Sequence, residues 1–351
     1  MPFLSQILEP PSYGYTRDGE FYAPSKRQIF REFFSRFNLL KTRKNWLPLF
    51  GWVASGLLFI PFVFFVKDYF SWPLAAVGFI YSMGFLGSHG TVWYHRFGTH
   101  RAYHYSHPVW RFLVRNLAIR IIPEEIYIVS HHVHHSKAEQ PGDPYNVHGG
   151  FWYCFLADVV HQLVARDLSP DQYKRVANMV SHTGVKVNSY AQYQRWGSIC
   201  HPFYTISHFA LNWAFWYLVF FLIGGHALAT CLFGSAFFWA FGVRTFNYSG
   251  HGEGKDKRKD GIDFNQADLS INQIWPGVVT GEWHNNHHLY PNGARAGFLP
   301  YQFDSAWWFI LGLYKIGGIS NYKDFKPQFY EKHVIPYQHA KEKIDAVPSQ
   351  G

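Results

Sequence analysis

The sequence predicts an all-α integral membrane protein: four transmembrane helices and a cytosolic helical cap holding a histidine-rich di-metal site. Three observations predict it. Apolar residues gather in blocks long enough to cross a bilayer, Lys and Arg gather on one side of those blocks, and histidines fall into tight groups close to the block ends.

Residues 1–45 are polar and aromatic, without the apolar run of a cleavable signal, and read as a cytosolic arm. Within it, Ser25 to Asn38 has the pattern of a short basic amphipathic helix lying on the membrane surface. Trp46 to Val66 carries no charged residue, and neither does Tyr69 to Ser88. Each is long enough for a helix to cross a hydrocarbon core of about 30 Å. Pro202 to Gly225 and His226 to Val243 are apolar apart from a few Ser, Thr, Asn and His residues, which completes four spans at 46–66, 69–88, 202–225 and 226–243. Trp46, Tyr69, Trp72 and Tyr204 stand near span ends, where aromatic rings favour the headgroup region.

Basic residues cluster before the first span (Lys26 to Lys44), after the second (Arg96 to Arg120) and after the fourth (Lys255 to Arg258). The connectors Lys67-Asp68 and Gly224-Gly225-His226 hold one Lys between them. Both termini and the long middle segment are therefore expected in the cytoplasm. The net charge of +9 is accounted for by these membrane flanks, and no separate basic stripe points to nucleic acid. A mean hydropathy of −0.15 argues against a transporter built wholly of membrane helices, because much of the chain is polar enough for water. Cys154, Cys200 and Cys231 have no paired spacing, so neither a disulfide framework nor a thiolate metal site is expected.

In the middle segment, Val109 to Ile122 and Phe151 to Val164 have helical amphipathic spacing, and Arg166 to Arg195 reads as a polar connection with a helix start at Ser169-Pro170-Asp171. Trp307 to Ile316 is too short to span and reads as an interfacial helix. The expected organisation is an arm (1–45), a membrane domain (46–320) and a polar tail (321–351).

The histidine groups carry the chemistry. They are His95 and His100, then His131, His134 and His135, then Asn247 with His251, then His284, His287 and His288. On an α-helix, positions i, i+3 and i+4 share a face, so each His-x-x-His-His triplet is expected to converge on one point. Imidazole suits Fe, Zn, Cu and Ni, and spacing does not choose among them. A single zinc would be satisfied by three or four nitrogens, whereas nine candidate histidines provide for two ions.

In this order, and with the flanking Tyr94-His95-Arg96, Gly142-Asp143-Pro144-Tyr145-Asn146 and Trp283 to Pro291, the chain resembles the membrane acyl desaturases, including the stearoyl-CoA desaturases and bacterial delta-9 enzymes. The likeness runs from about Gly87 to Gly317. It implies two Fe2+ ions held by His95, His100, His131, His134, His135, His251, His284, His287 and His288, with Asn247 reaching an iron through water. It further implies O2 as co-substrate, an acyl chain drawn from the bilayer, and an alkene product. Electrons would come from a separate ferredoxin or cytochrome b5-type donor with its reductase, docking on the basic cytosolic face.

Where stearoyl-CoA desaturase-like chains have Asp-His-Arg to engage CoA, this chain has Ser130-His131-His132, which leaves a free acid, a lipid-bound chain or a carrier-protein thioester as acyl carriers. The same motifs fit decarboxylation of free fatty acids to terminal alkenes, and hydroxylation. A metal transporter or zinc-dependent hydrolase is the reading from a different class.

Glu124 and Glu125 stand near the expected entry of the acyl head, and Glu124, Asp143 and Trp283 are candidates for substrate contact or for orienting a ligand. Asp143 also reads as a turn cap before Pro144. His132 reads as a relay or surface residue, and Glu282 is a lesser candidate for a carboxylate ligand. Arg96, Arg101 and Arg295 read first as membrane-flank cations, with binding of an anionic head or of an acidic redox partner as the alternative. His89, His104, His107, His148 and His161 are expected to be packed or solvated.

Overall fold

The computed structural model describes residues 3–251 and 283–339. The Lys255 to Arg258 cluster, Glu282 and the end of the tail lie outside the described residues.

The arm opens with a hairpin of β1 (Thr16–Arg17) and β2 (Glu20–Phe21), followed by α1 (Lys26–Phe37). Ser25 caps α1 in a capping box with Gln28, where side chain and backbone satisfy one another. Ile29 and Phe33 of α1 pack with Tyr145, Tyr153 and Cys154, while Phe34 on the same helix is exposed.

An apolar helical run from Arg43 to Tyr69 contains α2 (Trp46–Leu57) and α3 (Phe59–Phe64). After a break at Ser71, α4 (Trp72–Phe79) begins, and helical backbone continues to Thr99 through a π-helical stretch, α5 (Gly87–Gly90) and a second π-helix over Thr91–Thr99. Next come β3 (Tyr103–Tyr105) and α6 (Pro108–Arg115). The helix expected over 109–122 thus stops at Arg115. Beyond it, the backbone at Asn116, Ala118 and Arg120 is taken up by the side chains of Trp216, Asn212 and Trp213, whose indole and amide groups replace helical partners.

α7 (Glu124–Lys137) bears the second histidine group. The stretch expected to be helical over 151–164 is two short pieces, α8 (Phe151–Phe155) and α9 (Ala157–Val160), parted at Leu156. The polar connection holds α10 (Pro170–Ser181), started by a Ser169 capping box as the sequence suggests, and α11 (Tyr190–Trp196).

α12 covers Pro202–Gly250 but is two helices joined at Gly224 and Gly225. Gly225 has φ 64° and ψ −164°, a conformation open essentially to glycine alone, so the chain reverses there. Arg43–Tyr69 and α12 are the two helices in the described residues that are apolar and long enough to cross a membrane. The halves of α12 pack on the earlier helices at small residues: a Cβ on Gly234 would lie 2.6 Å from the Phe62 backbone. Outward, Ile60, Phe64, Phe79, Ile80, Leu211, Phe215, Leu222 and Ile223 are exposed, large apolar side chains of the kind that mark a membrane or partner contact where they gather.

The last elements are α13 (His284–Leu289), α14 (Ser305–Lys315), β4 (Ile319–Tyr322) and α15 (Lys326–Phe329). β4 pairs antiparallel with β3, and Phe329 and Val334 pack with Phe298, so the segment after 320 joins the fold at least to residue 334.

Candidate metal centre

The first histidine pair is five residues apart, a spacing that a regular α-helix points in different directions. The π-helix solves this. Its i→i+5 bonding, seen in His100 N–H donating to the His95 carbonyl at 3.1 Å, brings positions i and i+5 to one side. Gly98 lies inside this turn, where a Cβ would come within 2.8 Å of Ile128 on α7. The wide turn is therefore pressed directly against the helix carrying the second group.

All nine histidines come together, in two adjoining sets. His95, His100, His131, His135 and His287 form one, and His134, His251, His284 and His288 the other; within each set the candidate ligand atoms lie within 4.8 Å of one another. Each triplet is thus divided, against the expectation that it converges on one point. On α7, His131 and His135 are an i, i+4 pair facing the first set, while His134 sits about 100° round the helix from its neighbour His135 and faces the second. α13 does the reverse, sending His287 to the first set and the i, i+4 pair His284 and His288 to the second. The sets meet where the His135 and His288 rings stack at 4.5 Å between centroids.

The nitrogens fit metal ions better than they fit one another. Nε2 of His287 lies 2.8 Å from Nε2 of His95 and 3.0 Å from Nε2 of His135, and Nε2 of His284 lies 3.1 Å from those of His251 and His288. An imidazole nitrogen has one in-plane direction for a proton or lone pair, so it cannot bond two others at once. Ligands about 2.1 Å from a shared ion stand roughly 3.0–3.4 Å apart, close to these separations. The buried Nε2 atoms of His100 and His134 have no hydrogen-bond partner among the described residues. Burial first, and then repulsion between rings, drives His100, His131, His135, His284, His287 and His288 well below the usual imidazole range, which keeps them neutral as ligands must be.

Behind these nitrogens lie partners for the opposite ring edge. Nδ1 of His134 is 3.0 Å from both oxygens of fully buried Asp143, which also accepts from the backbone N–H groups of Glu139 and Tyr145. Nδ1 of His131 is 2.6 Å from the Tyr145 hydroxyl, and Nδ1 of His251 is 3.1 Å from the Glu139 carboxylate. Such contacts fix a ring's tautomer and its aim. Asp143 was legible as a candidate for this. Glu139 was not: it reaches His251 from a left-handed backbone at φ 59°, which no sequence pattern announces. Tyr145 stands in a recognisable motif that gave it no role.

The remaining candidates are placed as follows. Asn247 stands one turn before His251, whose N–H bonds to its carbonyl. Trp283 precedes α13, donates its indole N–H to the Phe303 carbonyl at 2.9 Å, and accepts the His287 N–H at its own carbonyl. Glu124 is buried in an ion pair with Arg115 and Arg120, and Glu125 accepts the N–H groups of Ile199 and Cys200. Arg96 is no membrane-flank cation: it is buried in a two-oxygen ion pair with Asp304 at 2.9 Å and donates to the Ala294 carbonyl. Arg295 pairs with Asp324, and Arg101 donates to the Asn178 carbonyl. His132 belongs to neither set, nor do His89, His104, His107, His148 and His161.

Comparison with known proteins agrees with this geometry. The family described as fatty acid desaturase matches residues 70–314. Similar proteins include the sn-1 stearoyl-lipid 9-desaturase of Synechocystis sp., 24% identical over 84% of this chain and 87% of that protein. The sn-2 palmitoyl-lipid 9-desaturase of Nostoc sp. is 26% identical over 84% and 90%. The icosanoyl-CoA 5-desaturase of Limnanthes douglasii is 27% identical over 73% and 67%.

Proposed function

The chain belongs to the fatty acid desaturase family and is an oxidoreductase, and from that premise we propose that it is an O2-dependent, di-iron desaturase of acyl chains carried on membrane lipids. The observation that carries the proposal is the division of nine histidines into sets of five and four, one for each iron. Two irons, when bound and reduced, supply the O2 activation that hydrogen removal from an unactivated C–H bond needs. The balance is –CH2–CH2– plus O2, two electrons and two protons, giving –CH=CH– and two waters. The electrons come from a separate ferredoxin or cytochrome donor on the basic cytosolic face.

The protein's own share is positioning. Asp143, Tyr145 and Glu139 would hold His134, His131 and His251 in their ligand tautomers, and Asn247 would complete the four-histidine set through a water. The lipid carrier is supported by the two cyanobacterial relatives, and by Ser130, whose hydroxyl bonds back to the Ile126 carbonyl on its own helix and so is not offered to a CoA head.

In this reading 46–320 is the working unit, crossing the bilayer four times with both termini cytosolic. The reversal at Gly225 supports two crossings within α12, and the helical run Trp72 to Thr99 supports the second.

Gas chromatography with mass spectrometry of lipid and headspace fractions, from cells expressing the chain beside a His284→Ala control, tests the function. An internal double bond in lipid acyl chains, absent from the control, is expected. A volatile terminal alkene one carbon shorter than its parent acid would replace desaturation by decarboxylation.

A further inference from the structure

Away from the nine clustered histidines, a cavity of about 290 Å3 opens between the segment after α6, the turn at 184–186 and the first turns of α12. Arg115, Arg120, Glu124, Lys186, Tyr204 and His208 are among its walls. Three permanent cations there face one carboxylate, which leaves an excess of two positive charges.

Arg120 is the most informative of them. It is 3% exposed; its Nη2 is engaged by Glu124 and its guanidinium lies 5.2 Å from the centroid of the Phe209 ring, while its buried Nε and Nη1 have no hydrogen-bond partner among the described residues. A buried guanidinium with two idle donors is costly unless an acceptor arrives. Arg115 is fixed beside it, with Nε on Glu124 at 3.0 Å and Nη1 on the Gly184 carbonyl at 3.1 Å. Lys186 is exposed at the rim, its ammonium 5.9 Å from the Tyr204 ring.

We propose that this cavity binds the phosphate of an anionic glycerophospholipid head group at the cytosolic face of the bilayer. Two guanidiniums and an ammonium offer more donors than one carboxylate can accept, and a phosphate with its ester arms suits both the charge and the volume. The site lies at the cytosolic end of α12, beside exposed Phe203 and Tyr204, the level at which basic pockets between spans meet lipid head groups. The placement rests on the four-crossing reading above. It is independent of turnover.

Native mass spectrometry of the purified full chain, offered phosphatidylglycerol or phosphatidylcholine at equal concentration, tests it. Phosphatidylglycerol should be retained several-fold over phosphatidylcholine, and Lys186→Gln and Arg115→Gln should each weaken that retention about fivefold. Lys174→Gln, on the exposed side of α10, should not. Equal retention of the two lipids, or a preference untouched by both cavity variants, overturns the proposal. Inorganic phosphate alone serves as the probe for a soluble source: stabilisation of wild type but not Lys186→Gln by phosphate, without lipid preference, overturns the lipid assignment. Lipid products measured on the same preparations separate the readings, since lost desaturation with intact lipid preference sinks the function alone.

Discussion

Asp143 serves ring aim and loop shape at once, because the carboxylate that takes Nδ1 of His134 also takes the N–H groups of Glu139 and Tyr145. Asp143→Asn keeps the size but removes the charge and one acceptor. Loss of such a partner lowers metal affinity or activity by about 10–100-fold. Iron per chain and alkene yield, measured together after limiting iron supply, should both fall; unchanged values would deny Asp143 this role. Glu125 sets a pH dependence. Burial pushes its carboxyl from the ordinary 4.5 up to about 7, although the Ile199 and Cys200 N–H groups favour the charged form. A raised folded-state value means that the folded chain holds the proton more tightly. The stabilisation is therefore full below about pH 4.5 and is lost as pH rises through 7. The difference amounts to about 3 kcal/mol. Thermal midpoints of the purified protein should drop more between pH 5 and 7.5 for wild type than for Glu125→Gln, and parallel profiles would show that Glu125 contributes nothing. At this scale the nine histidines that the structure gathers into two sets were readable, because histidines in such spaced groups have few other uses. Glu139 and the Arg96–Asp304 pair were not, since each depends on a backbone turn or a partner 208 positions away.

Elements were legible where a local pattern decides them. Ser169 starts α10 with its capping box because cap, proline and glutamine lie within four residues. The end of α6 was hidden because its cause, the Asn212, Trp213 and Trp216 side chains, comes from another helix. The β3–β4 pairing of Tyr103 with Tyr322 was hidden for the same reason. Helical spacing alone also misjudged the triplets, since sharing a broad face on α7 does not mean sharing one ion. The element most exposed to test is the break in α12. Gly225→Val forces a β-branched side chain into a backbone that only glycine adopts without strain, at a cost of about 1–3 kcal/mol. Its unfolding midpoint in detergent should fall, while Gly56→Ala, with nothing within 4 Å of the added carbon, should not. A Gly225 variant as stable as wild type would mean that α12 can run straight.

For the whole molecule, composition was the stronger guide. Charge-free blocks and one-sided Lys and Arg predict a four-crossing bundle with its histidines at one end, and among the described residues two helices are apolar and long enough to cross a membrane. The structure brings the ends of the Trp72–Thr99 run, α7, α12 and α13 to a common point. If the chain crosses four times, the connectors at 67–71 and 224–226 face away from the cytosol, while α10 lies on the cytosolic side with the metal sets. The natural cysteines are all buried, so a single introduced cysteine reports on its own position. Asp68 and Ser181 are both exposed and suit this purpose. Asp68→Cys should react with a membrane-impermeant maleimide on sealed cells, and Ser181→Cys only after permeabilisation. Labelling of both from the outside, or of neither until the cells are opened, would break the pairing of two outward hairpins with a cytosolic cap. The reverse pattern would keep four crossings but turn the metal centre away from the electron donors of the cytosol.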